Sequence, residues 1–316
     1  MRLDGVLGLI SLASALLALT AGASADDKAA EDKDAAKEIA AAAPANDIYL
    51  ATLEKHKEGT TLGEPRNATH RPGYDNQPFF LPDGKRFYYT SIRDDGQADI
   101  WRYDIASGES TQITKTPVSE YSPTVPPDGD GISAVRVEKD GSQRLWRYGA
   151  DGTPGKPIVD DEKAVGYHAW IDEDTLALFI VGEPTVLRMF DLRSKRSRDI
   201  AQGLGRCLQP VPARPAVAYI EASPDSSPWL KMLQWPAGVT NQVTQPLEGS
   251  EDFALSNDGE IYMAHEQTIY AWQHEPGKWR AIADFTGKLP GAISRLAVSP
   301  RSDLMAFVVA EGPEAK

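Results

Sequence analysis

The feature that most constrains this chain is an internal repeat. Tight-turn positions fall at Asp83, Asp128, Glu173, Ala213, Asp258 and Arg301, spaced 45, 45, 40, 45 and 43 residues apart. Pro78–Thr114 shows the unit most clearly, as PFFLPDGKRFYYTSIRDDGQADIWRYDIASGESTQIT. It parses into four short strands. Phe79–Leu81 comes first, then the turn Pro82-Asp83-Gly84, in which proline fixes φ and glycine accepts a positive one. Lys85–Ile92, rich in Tyr and Phe, is the second strand, Asp99–Ile105 the third and Thr111–Thr114 the fourth. Copies recur at 123–159, 169–201, 208–244 and 253–284, and a half copy of two strands occupies 296–309. A period of 40–45 residues with four strands per unit predicts an all-β, six-bladed β-propeller.

The two strands missing from the sixth unit are expected at the other end of the chain. Asp47-Ile48-Tyr49-Leu50 matches Asp99-Ile100-Trp101-Arg102, and Thr60–Thr69 fills the fourth-strand position. N-terminal strands thus close the last blade without a covalent link and leave no open sheet edge. The repeat, in the form Pro-Asp-Gly-Lys … Thr-Ser-x-Arg-Asp-x-Gly … Asp-Ile-Trp, resembles the TolB-type propeller repeat of bacterial envelope proteins. The resemblance spans residues 47–316. It implies an envelope location. The extra N-terminal α/β domain of TolB has no counterpart among these residues. The similar repeat in prolyl-oligopeptidase-like enzymes accompanies a hydrolase domain for which the chain has no room.

What precedes the repeat reads differently. Val6–Ala21 is an apolar run, and Ala23-Ser24-Ala25 is a small-x-small cleavage pattern, so residues 1–25 read as a signal peptide. An uncleaved anchor is the alternative, but the run is short for a span of about 20 residues. Residues 26–46, rich in Ala, Asp, Glu and Lys, read as a tether rather than a short helix, which would be marginal alone. All aromatic residues lie from Tyr49 onward, which marks residues 47–316 as the folded domain. The expected location is the periplasm, with no stable membrane insertion after cleavage, and the expected state is a monomer.

A net charge of −13 argues against nucleic acid as a partner. The single cysteine, Cys207, excludes an intrachain disulfide framework and a Cys-rich metal centre. No Gly-x-Ser-x-Gly, Walker, Gly-x-Gly-x-x-Gly or His-Glu-x-x-His pattern occurs, and the five histidines lack ligand spacing. The Asp-Gly pairs read as turn chemistry rather than calcium loops. Trp101, Trp146 and Trp272, in equal register, read as packing between blades. Asn67-Ala68-Thr69 is a weak glycosylation pattern.

Candidate site residues follow from blade register. Five positions before Pro82, and in the same slot of the other units, stand Gln77, Ser122, Tyr167, Cys207, Asp252 and Arg295. One position earlier stand Asn76, Tyr121, Gly166, Arg206, Glu251 and Ser294, with Asp75, Glu120 and His168 adjacent. The expected site is the channel mouth at the entering loops, built from Asn76, Glu120, Tyr121, Tyr167, His168, Arg206, Glu251, Asp252 and Arg295. Arg206 and Arg295 suit an anionic group. Glu251, Asp252 and His168 suit a cation or a basic peptide group. The expected activity is binding of an envelope protein, peptide or small ligand, with no cofactor. The alternative is a metal-dependent lactonase or lyase with a divalent ion held by Asn76, His168, Glu251 and Asp252.

Overall fold

The computed structural model describes residues 43–223 and 226–311. The expected signal peptide and all but the last four residues of the expected tether lie outside them. No helix occurs among the described residues, and none is long and apolar enough to cross a membrane. The N-terminal strands are β1 (Asn46–His56), β2 (Gly59–Leu62) and β3 (Arg66–Asn67). The first complete meander is β4 (Tyr74–Phe80), β5 (Arg86–Ile92), β6 (Ala98–Asp104) and β7 (Ser110–Gln112). Next come β8 (Ser119–Thr124), β9 (Ile132–Val137), β10 (Gln143–Tyr148) and β11 (Pro154–Pro157). They are followed by β12 (Val165–Trp170), β13 (Thr175–Ile180), β14 (Val186–Asp191) and β15 (Arg196–Gln202). A fourth meander holds β16 (Leu204–Pro210), β17 (Ala216–Ser223), β18 (Ser226–Gln234) and β19 (Val239–Thr244). A fifth holds β20 (Phe253–Leu255), β21 (Ile261–His265), β22 (Thr268–Gln273) and β23 (Lys278–Asp284), and β24 (Ile293–Val298) and β25 (Leu304–Ala310) end the chain.

Each meander is a four-stranded antiparallel sheet, and a single parallel residue pair, Asn46↔Tyr74, ties the first to the terminal strands. The terminal strands join as expected from the repeat. β1 runs antiparallel to β25 over seven residue pairs, from Asn46↔Ala310 to Thr52↔Leu304, and β2 and β3 flank β1 on its other side. A shared motif explains why. Thr114 Oγ1 accepts from the Ile100 amide at 2.8 Å and donates to Asp99 at 3.1 Å. Thr69 does the same between the Ile48 amide, 3.0 Å, and Asp47, 3.0 Å. Asn67 also donates to Asp47, at 2.7 Å, so the Asn67-Ala68-Thr69 pattern serves this clasp.

Burial falls from the middle of each sheet outward. β13 is buried at all six positions, whereas β15 is exposed over its first four. A strand covered on both faces needs an unbroken apolar run, and an outer strand does not. Neighbouring sheets share cores. Ile48 and Val308 pack on Phe87 and Tyr89; Tyr88 and Ile100 on Ile132 and Tyr148; Val135 and Leu145 on Leu176 and Leu178. Further round, Phe179 meets Tyr219, Ala218 meets Phe253 and Met263, and Tyr262 meets Met305 and Phe307. The last core returns to strands that contact the first, so the sheets form a closed ring. Trp101, Trp146 and Trp272 each pack partly buried against one of these cores. The Arg93 and Arg136 guanidiniums lie 3.3 and 4.3 Å from the ring centroids of Trp101 and Trp146.

The turns match their chemistry. Gly84 and Gly129 sit at φ 64° and 74°, and Asp83 and Asp128 accept the amides of Lys85 and Asp130. Within the first meander one boundary differs from expectation by more than two residues. The first strand of the meander begins at Tyr74 and not at Phe79. The polar stretch Asp75–Gln77 belongs to the strand because it is buried between sheets, not exposed on a loop.

Candidate functional site

Five of the six innermost strands carry a bulge near the predicted register position, β20 being the exception. Pairing shifts between Asn76 and Phe79, Tyr121 and Thr124, Val165 and Tyr167, Leu204 and Leu208, and Ile293 and Leu296. A bulge bends its strand and re-aims a side chain. Gln77 and Ser122 occupy their bulges at φ 59° and 54°, a left-handed conformation uncommon outside glycine. The result is a central cavity of about 340 Å³. All six residues of the fifth position, Gln77, Ser122, Tyr167, Cys207, Asp252 and Arg295, line it.

The cavity then runs toward the tight turns. Its further walls include Phe79, Thr124, Pro127, Trp170, Ile171 and Gln209, which follow the bulges in sequence. Apart from Arg206, no residue of the preceding position lines it. The inner-ring residues therefore form the floor of a chamber on the turn side, and at the bulged strands one side chain turns inward while its predecessor, Arg206 apart, turns into the wall.

Arg295 closes the floor. Its Nη2 donates to the Tyr167 hydroxyl at 2.9 Å, from a strand 128 residues away, and its Nη1 lies 3.5 Å from Asp252 Oδ1. Burial disfavours its charge, but Tyr167 and Asp252 outweigh that, and Arg295 stays protonated. Arg206 pairs with Glu251 at 3.0 Å and lies 3.9 Å from Asp252. The two arginines thus face two carboxylates, and the anion-binding role expected of them is already filled from within.

Of the nine predicted residues, Tyr167, His168, Arg206, Asp252 and Arg295 line the cavity. The other four are elsewhere. Asn76 Oδ1 accepts the Gln77 amide at 2.7 Å, which holds the bulge. Tyr121 packs with Tyr74, Ile92 and Val137. Glu120 is fully buried and accepts from Thr116 and, at 3.2 Å, Tyr148. Burial, aided by Asp99, pushes the Glu120 carboxyl up to about 7. Glu251 meets Arg206 outside the cavity lining.

The remaining polar groups are poor reactants. His168 Nε2 is held by Thr124 and Ser133, each at 2.8 Å, and burial drives its pKa down to about 3. Burial, with Asp252 adding, pushes the Cys207 thiol up to about 12. The donors named for a metal do not fit one as placed. Asn76, His168 and Glu251 are each engaged separately, and among the described residues no group of three or more His, Cys, Asp or Glu is arranged to hold an ion. Sequence reasoning gave no role to Gln77, although its place in the register marked it. Gln77 Oε1 accepts from Thr90 at 2.7 Å and from the Ser122 amide at 2.8 Å, which couples the first two sheets at the floor.

No family model and no curated protein matches the sequence. Solved structures match its fold. The putative TolB from Agrobacterium tumefaciens superposes with a TM-score of 0.67 at 14% identity, covering 86% of this chain and 100% of that one. A chain of a nidogen/laminin complex gives 0.59 at 14% identity, over 85% of this chain and 100% of that one. An oligogalacturonate lyase in complex with manganese gives 0.50 at 18% identity, over 76% and 70%. At these identities the likeness is one of fold, and the chain has the β-propeller architecture of TolB-type proteins.

Proposed function

We propose that this chain is an exported, periplasmic six-bladed propeller, its last blade completed by the N-terminal strands. It acts as a non-enzymatic scaffold that takes a partner's segment or a small ligand in the central cavity. The observation that carries this reading is the chamber itself. Register-equivalent residues from every inner strand converge on one cavity of about 340 Å³, within the range of ligand sites. Its charges are mutually paired, its thiol and imidazole are held out of reaction, and its walls at Phe79, Trp170 and Ile171 are apolar. Such a surface recognises a shape and does little to activate a bond. Export is supported by the N-terminal apolar run with its Ala-Ser-Ala pattern and by likeness to a TolB structure. Likeness to a chain of a nidogen/laminin complex supports a protein as the occupant.

Filling the chamber tests the reading. Gln209 lines the cavity and is only partly buried, so Gln209→Trp occupies space with little disturbance of the core. Native mass spectrometry of chain recovered from its exporting cell is expected to show a bound species on the wild type and none on Gln209→Trp. A bound species kept by Gln209→Trp, or its conversion to product by the wild type, would overturn the scaffold reading.

A further inference from the structure

The turns joining third to fourth strands follow a strict rule with one exception. Four residues after the end of each third strand of the complete meanders stand Gly108, Gly152, Gly238 and Gly277, all at φ between 70° and 82°. In the third meander that place belongs to Lys195, at φ 55°. A lysine there carries a steric cost that glycine avoids. The stretch between strand end and glycine holds no Lys or Arg in the other four turns, but this one has Arg193 before Lys195, and Arg196 and Arg198 follow. Residues 193–199 are exposed throughout.

Three of these cations are free. Arg193 pairs with Asp174, and Arg188 is occupied by Glu162 and Asp199, but no ion pair among the described residues involves Lys195, Arg196 or Arg198. In a chain of net charge −13 this is a pronounced local reversal. Arg196 and Arg198 alternate on one face of β15, about 7 Å apart. β15 ends its sheet and pairs only with β14, so, contrary to the expectation of no open edge, its outer backbone edge is open. Arg198 also reaches toward the next meander: a Cβ on Gly238 would lie 3.8 Å from its Nη1.

We infer that the hairpin 193–198 is a docking site for an extended acidic peptide segment of a partner protein. Such a segment adds a strand to the β15 edge and sets alternate carboxylates against Arg196 and Arg198, with Lys195 at the tip. An open strand edge matches a peptide backbone and offers nothing to a lipid surface. The hairpin lies on the tight-turn side: the Leu192 amide donates to Asp174 in the turn after Ile171, a cavity residue. A partner seated at the chamber therefore passes near it, although the inference stands on the hairpin alone.

The test uses the whole folded chain and a fluorescein-labelled peptide of alternating threonine and glutamate, with a threonine–glutamine peptide as control. Fluorescence anisotropy is expected to show at least about tenfold preference for the glutamate peptide, weakening with salt. The triple change Lys195→Glu, Arg196→Glu, Arg198→Glu is expected to abolish that preference. Lys195→Gly is expected to raise Tm by about 2 °C while weakening binding several-fold, since it removes strain and charge together. Equal binding of both peptides, no saturable binding, full retention by the triple variant, or a lower Tm in Lys195→Gly would overturn the inference. So would binding to phosphatidylglycerol vesicles without binding to the peptide, which would assign the patch to a lipid surface.

Discussion

Arg295→Met tests the floor of the cavity quantitatively. The substitution keeps most of the side chain's bulk and removes its charge. Three interactions go with it: the 2.9 Å hydrogen bond to Tyr167, the 3.5 Å pair with Asp252, and the stacking of the guanidinium 4.9 Å from the Tyr167 ring centroid. Asp252 has 8% of its side chain exposed and would keep Arg206, at 3.9 Å, as its remaining cation neighbour. Breaking a buried pair costs about 3–5 kcal/mol when the remaining charge is left alone, and Arg206 holds the loss here to the low end of that range. Tyr167→Phe removes only one charge-assisted hydrogen bond and leaves Asp252 paired, so it costs about 1–2 kcal/mol. Adding Asp252→Leu to Arg295→Met removes the stranded carboxylate and is expected to recover much of the loss. Urea titration of the wild type, Arg295→Met, Asp252→Leu and the double variant, read as a double-mutant cycle, with Tyr167→Phe measured beside them, gives these differences directly. A loss below about 1 kcal/mol for Arg295→Met, or a double variant no more stable than the single, would refute the coupling argued here.

Two other outcomes are expected. Glu120 is buried with its carboxyl raised from 4.5 to about 7, chiefly by burial, so the folded state holds a proton that the unfolded state has lost. Its contribution therefore falls as pH rises from about 4.5 to about 7, and Asp99, raised to about 6 by burial, adds to the same trend below that. Melting temperatures of the wild type and Glu120→Gln between pH 4.5 and 8 check this: the variant should lose less stability across the range, and a parallel decline would contradict it. Ile48→Ala deletes a fully buried side chain in the core between the terminal strands and β5. It should cost about 2–5 kcal/mol by urea titration, whereas an undocked β1 would make it neutral.

Much of the architecture was legible because turn chemistry and a short motif repeat along the chain. The Asp-Ile-aromatic motif placed β1 as a third strand, and the threonine clasps at Thr69 and Thr114 give the physical reason. The register count also found the inner ring, since Gln77, Ser122, Tyr167, Cys207, Asp252 and Arg295 all line the cavity. What the chain did not disclose is direction. Asn76, Glu120, Tyr121 and Glu251 stand beside those positions in sequence, and the bulges at Asn76–Phe79 and Tyr121–Thr124 break the period of two that would have separated inward from outward side chains. Pairing was equally hidden. That Arg206 meets Glu251, 45 residues on, and Arg295 meets Tyr167, 128 residues back, depends on ring closure and on no local pattern. The Lys195 exception was present in the sequence and becomes visible only when the third-to-fourth-strand turns are aligned from the strand ends.

The cavity depends on a ring closed by the N-terminal strand. Hydrogen exchange of the intact chain, resolved by residue, measures that closure. The account predicts that the β1 amides paired with β25, from Asn46 to Thr52, exchange as slowly as those of β25 itself. Fast exchange across β1 beside a protected β25 would contradict it, and would leave the cavity open on one side.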